Sequence, residues 1–129
     1  MDQTKASNVY PITIQVIGKE EIIEGELIRT KAPRTVEKIL MKLPLIARVS
    51  KQKDQLNISI GIKMGAEKST KIAHQGDIAY WPKSDALSIF LANTEPYGEI
   101  NVIGSITSNL DSLMNLKLGS TLKINLKEV

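Results

Sequence analysis

Trp81, Phe90, Tyr80 and Tyr97 crowd into the segment 76–106, GDIAYWPKSDALSIFLANTEPYGEINVIGSI, of a chain in which only 4% of residues are aromatic. Apolar rings with a polar edge line pockets for peptides and planar small molecules. Trp81, Phe90 and Tyr97, with Arg48 nearby, are therefore the expected lining of a ligand-binding groove. Tyr80 and Trp81 are adjacent in a strand-like run, so their side chains point to opposite faces. One belongs in the core and the other faces outward or into a groove, unless a distortion before Pro82 buries both.

No catalytic set accompanies these rings. His74 is the sole histidine, and its neighbours Lys71, Gln75 and Asp77 offer a metal one good carboxylate. It reads as a surface or turn histidine, and no metal is expected. Asp77, Asp85, Glu95 and Glu99 fall at turns, where carboxylates are solvated or cap the backbone rather than pair for acid–base work. Ser88 and Ser105 have no His–Asp partners to activate them. Thiolate chemistry is excluded by the absence of cysteine. Neither a GxGxxG nor a P-loop word is present, and no cofactor is expected.

The elements that would position these residues are mostly strands. Ile12, Ile14 and Val16 alternate with polar residues up to Gly18, and a second strand covers 21–29, with Gly25 marking a bulge or a close backbone approach. Pro33 opens a helix in which Val36, Ile39, Leu40 and Leu43 recur at i, i+3, i+4 and i+7, and Pro44 stops it. Residues 47–49 start a strand and 51–55 form a charged turn. Alternation resumes from Leu56 to Met64 and predicts a nine-residue strand. After a polar connection holding a short strand near 70–73, strands are expected at 78–81, 86–92 and 100–106. The middle one is apolar almost throughout, as a strand buried on both faces would be. Ser108 and Asp111 fit the start of a short helix at 109–117 that Gly119 closes, and a final strand occupies 122–126. About eight strands and two helices without βαβ alternation predict a largely antiparallel barrel with helices over its open ends.

Composition bounds the setting. The 129 residues, 42% of them apolar and 24% charged, make one globular domain from residue 9 onward behind a frayed tail at 1–8. No run is long enough to span a bilayer and no signal core precedes the first strand, so a cytoplasmic location is expected. The net charge of +3 is spread over scattered lysines with three arginines, not gathered into a stripe, so neither nucleic acid nor membrane is an expected partner. Abundant Ile, Lys and Glu without Cys suit a heat-adapted organism, and AT-rich coding produces the same bias.

The words GDIAYWP, ALSIF and NVIG resemble those of small prokaryotic cyclophilin-like proteins of undefined role. The helix APRTVEKILMKLP and the Ala47-Arg48 pair are similar to the N-terminal half of that group. The resemblance implies a closed eight-stranded antiparallel β-barrel capped by two α-helices. It also raises prolyl isomerisation, for which Arg48 matches the expected guanidinium and Phe90 a floor aromatic. A wall histidine of true cyclophilins is matched by Ile100 or Asn101, so Asn101 joins the expected groove. The F-H-[RK]-[VI] word and the Gln-bearing glycine segment are missing, and QLNISIGIKM stands where relatives carry an acidic-aromatic word. The reading is thus a peptide- or small-molecule-binding module without efficient isomerase activity, its catalytic residues undefined. The alternatives are a weak isomerase and a subunit of an amide-hydrolysing, 5-oxoprolinase-like complex. Homo-oligomerisation stays open.

Overall fold

The computed structural model describes residues 8–127. The expected tail lies outside them except for Asn8, whose carbonyl accepts the Arg29 N–H at 2.8 Å. Nine strands form one antiparallel sheet: β1 (Val9–Val16), β2 (Ile22–Ile28), β3 (Leu45–Arg48), β4 (Ser50–Gln52), β5 (Gln55–Ser59), β6 (Asp77–Trp81), β7 (Ala86–Phe90), β8 (Asn101–Ser108) and β9 (Thr121–Leu126). Their order is β3-β9-β1-β2-β8-β6-β7-β5-β4. The two ends of the sheet are consecutive in sequence, joined through Val49, and β3 draws near β5. The result is a nearly closed barrel. The ninth strand is β4, three exposed residues at the edge of the charged turn expected there.

Two helices flank the barrel, α1 (Pro33–Lys42) and α2 (Asp111–Met114). Proline at the first turn of α1 costs no hydrogen bond, and the apolar stripe turns Val36 and Ile39 into the core. The chain then breaks at Leu43, whose peptide to Pro44 is cis. Helix α2 is a single turn, shorter than expected, and Ser108 does not cap it; it buries Leu113. None of the helices described is long and apolar enough to cross a membrane.

The barrel interior is aliphatic. Ile12, Ile14, Ile23, Leu27, Leu56, Ile58, Ile78, Leu87, Ile89, Ile103, Leu122 and Ile124 fill it, each 2% exposed or less. Period-2 alternation brings them to one face of the sheet. Gly25 sits at a register shift between β2 and β8, where an added Cβ would lie 2.9 Å from the Ser105 carbonyl oxygen. A close approach explains the glycine.

The strand expected from Leu56 to Met64 ends at Ser59. Beyond it, Ile60, Ile62 and Met64 still pack on the core, yet no ladder forms. Gly61 and Lys63 adopt positive φ, and the Asp85 carboxylate takes the N–H groups of Ile62 and Lys63, each at 3.0 Å. These residues form a strap along the barrel rather than a strand.

Candidate functional site

Alternation along β6 sends Tyr80 into the barrel and Trp81 to its outer face, and both are buried. The outward side chains make a second apolar cluster of Ala73, Ala79, Trp81, Phe90 and Ile100, with Val102 against it. Two connections roof it. Residues 69–76 and 91–100 are joined by bridges between Thr70 and Ile100 and between Ala73 and Thr94. The Asn93 side chain also accepts the Gln75 N–H at 2.8 Å. Phe90 is consequently 0% exposed and Trp81 6%.

The roof is unevenly held. Among the described residues, Glu95, Pro96, Tyr97 and Gly98 join no backbone–backbone hydrogen bond. Tyr97, 54% exposed, is met by Lys53, whose ammonium lies 5.2 Å from the ring centroid. An exposed contact of this kind is worth about 0.5–1 kcal/mol. Between this loop and the β4–β5 turn lies a cleft of only about 10 Å³, bordered by Gln55, Asp54, Thr94 and Tyr97. It has room for about one water.

Beneath the loop is the one buried side-chain polar atom without a partner among the described residues, Trp81 Nε1. A Cβ built on Gly98 would stand 3.5 Å from it, so the indole edge faces the loop backbone across a glycine. A buried donor left unpaired costs about 1–3 kcal/mol. Its neighbours are satisfied. Gln55, Asn57 and Ser88, all buried on β5 and β7, bond to one another: Gln55 Nε2 donates to Asn57 Oδ1 at 2.8 Å, and Ser88 Oγ donates to the same oxygen at 2.7 Å. Ser88 is thus committed to an amide and faces no base.

The five expected groove residues divide. Trp81 and Phe90 come together, and Tyr97 closes the cleft beside Gln55, which pairs with Phe90 in the β5–β7 ladder. Arg48 lies opposite Thr121 and is exposed; its neighbour Ala47 pairs with core Leu122, so Arg48 points outward near the seam. Asn101 faces the other way. It is opposite Tyr80 in the β6–β8 ladder, fully buried, and its amide accepts the Glu67 N–H at 2.8 Å while donating to Gly65 O at 3.0 Å and Thr35 Oγ1 at 3.2 Å. Asn101 is bound to the strap and α1 rather than to an outer groove.

Two carboxylates complete the strap. Glu67 accepts the N–H groups of Arg34 and Thr35, at 3.0 and 2.8 Å, and the Thr35 hydroxyl, capping α1 from a distant segment. Burial opposes ionisation of Glu67, but these hydrogen bonds outweigh it and hold the carboxyl below its ordinary value. Asp85 is likewise held low: burial raises it, while the Tyr80 hydroxyl, donating at 2.6 Å, and the Lys63 and Ile62 N–H groups lower it further. The Tyr80 phenol, buried and bonded to that carboxylate, is pushed up to about 12. Sequence reasoning left Glu67 unremarked and read Asp85 as a turn carboxylate. The partners of Glu67 lie 32 and 33 residues away, and the backbone donors to Asp85 22 and 23. No three His, Asp or Glu side chains converge as a metal site among the described residues.

A barrel of this topology, with its aromatic outer cluster, belongs with the fold that the sequence words imply. The profile of the family described as cyclophilin-like matches residues 11–125, and the chain belongs to that family. Among solved structures it is similar to the hypothetical protein AF2241 from Archaeoglobus fulgidus, with a TM-score of 0.76 and 24% identity over 92% of this chain and 95% of that one. McbB, solved in complex with tryptophan, superposes with a TM-score of 0.75 and 15% identity; 92% of this chain is covered but only 45% of McbB. At such identities both show a shared fold. No curated protein matches the sequence.

Proposed function

We propose that this chain is a cyclophilin-like binding module that takes a peptide or small molecule on the outer face of its barrel, without efficient prolyl isomerase activity. The observation that carries this reading is the buried Trp81 indole N–H, without a partner among the described residues, beneath a loop whose centre makes no backbone hydrogen bond to them. A ligand carbonyl that displaces residues 95–98 gives the donor its missing acceptor. It also lies on Phe90 and Trp81, exchanging one cover of the apolar cluster for another. Opening the loop centre breaks the exposed Lys53–Tyr97 contact and no backbone hydrogen bond among the described residues.

Isomerisation asks for more. A barrier of about 18–20 kcal/mol must be lowered by donors aimed at the twisted amide. Arg48 is exposed near the seam, and Asn101 is engaged on the opposite face of the sheet. Weak isomerase activity remains the second reading because Arg48 points outward, as Phe90 does. The subunit role beside an amidohydrolase has fold similarity behind it.

Two assays test the reading together. A fragment and short-peptide screen read by fluorescence of Trp81, the sole tryptophan, is expected to yield saturable binders. A proline-peptide isomerisation assay is expected to show little or no acceleration. A large acceleration lost in both Arg48→Ala and Phe90→Ala would replace the binding-module reading by the enzymatic one.

A further inference from the structure

A second concavity, of about 330 Å³, opens at the other end of β6 and is lined by Lys31, Thr70, Ile72, His74, Asp77 and Val102. We propose that it binds a carboxylate carried on a short apolar chain. Charge and apolar surface are separated within it. Lys31 supplies a cationic edge and His74 an imidazole beside it, while Ile72, 57% exposed, and half-buried Val102 supply an apolar wall. An isoleucine left this exposed beside a concavity gains from any apolar group placed on it.

Asp77 sets the preference among anions. One of its oxygens, Oδ2, accepts the His74 backbone N–H at 2.8 Å and stands 3.7 Å from His74 Nδ1. The carboxylate thereby fixes the turn at His74 through the backbone and lies beside the imidazole. The Lys31 ammonium forms no ion pair among the described residues and is open to a ligand. A singly charged carboxylate can sit between Lys31 and His74. A phosphate dianion would place more negative charge near Asp77 and leave Ile72 and Val102 uncovered. Val102 also packs on the Trp81–Phe90 cluster, so the concavity adjoins the face described above but shares neither its loop centre nor its indole.

The test is an amide-resolved NMR titration of the full chain with isovalerate, isoamylamine and inorganic phosphate at equal ionic strength. Isovalerate should shift the amides of residues 70–77 and 102 along one saturable curve, leaving the Trp81 indole unmoved. Lys31→Gln should weaken that curve by about fivefold, the upper worth of one exposed charge contact, and His74→Ala should weaken it less, by removing a ring hydrogen-bond donor. Both residues are exposed, so the variants keep the fold. Isoamylamine, with the same tail and opposite charge, should not bind. Absence of saturation, equal or tighter binding of phosphate, or an isovalerate curve unchanged by Lys31→Gln would each overturn the assignment. None of these outcomes bears on binding beneath residues 95–98.

Discussion

Replacing Asn101 by alanine should destabilise the fold while leaving the outer face intact. Its side chain makes three hydrogen bonds, to Glu67 N, Gly65 O and Thr35 Oγ1, at 2.8 to 3.2 Å. Each is worth about 1 kcal/mol net, and a partner stranded away from water costs more. Thr35 is fully buried but keeps its bond to Glu67, and the strap groups are only partly buried, so water rescues some of the loss. The sum is about 3 kcal/mol. For a domain of this size that lowers the melting temperature by about 10 °C. Urea unfolding followed by far-ultraviolet circular dichroism measures it, with the denaturant slope unchanged. Asn101→Asp should lose at least as much, because a carboxylate cannot donate to Gly65 O or Thr35 Oγ1 and places charge near Glu67. A loss under about 0.5 kcal/mol in both variants would refute the assignment of Asn101 to the strap. Unaltered stability with impaired ligand binding would return it to a groove.

Three further outcomes follow from named contacts. Gly104→Ala should abolish or severely impair folding, since its Cβ would overlap the Glu26 carbonyl oxygen and lie 3.0 Å from Leu27 Cα; a soluble variant with near wild-type unfolding would contradict the β2–β8 register. Stability should fall on both limbs of a pH titration. Glu67 and Asp85 are held low in the folded state, so their contribution, present above the ordinary carboxylate range, is lost as pH drops from about 5 towards 3. Tyr80 is held up to about 12, so its contribution is present below about 10 and lost as pH rises from there. Tyr80→Phe should flatten the alkaline limb, measured by denaturant unfolding at each pH. Tyr97→Ala, which removes the ring under Lys53, should make Trp81 emission markedly more quenchable by acrylamide without loss of helix or strand signal; unchanged quenching would show that the loop centre is held by other means.

Much of this fold was legible because burial writes itself into spacing. Helix α1 follows from Pro33 and the stripe through Val36 and Ile39, and β7 from an apolar run interrupted only by Ser88. The same signal misleads at Ile60, Ile62 and Met64, where alternation reports burial although Asp85, not a neighbouring strand, takes the backbone donors. Strand β4 carries no signal, being three exposed polar residues closing the sheet. At the site, the concentration of rings foretold that Trp81 and Phe90 meet. It could not foretell their roof, because the polar segment 91–100 gives no sign in its composition that it folds back over them. The fate of Asn101 depends on the β6–β8 register, which aligns it with Tyr80 and turns it away from the rings. Glu67 was hidden for a similar reason, since its partners lie on a helix more than 30 residues before it.

The most direct measurement of binding beneath the loop uses the indole N–H itself. With one tryptophan in the chain, a ¹H–¹⁵N spectrum holds a single such resonance. During titration with an amide-bearing fragment or short peptide identified in the fluorescence screen, that resonance should move downfield and saturate, as an unpaired donor gains a carbonyl acceptor. The amides of residues 95–98 should shift on the same curve. Saturable binding that leaves the Trp81 indole in place while perturbing amides elsewhere would contradict the proposed site, and so would an indole that exchanges freely with solvent in the unliganded protein.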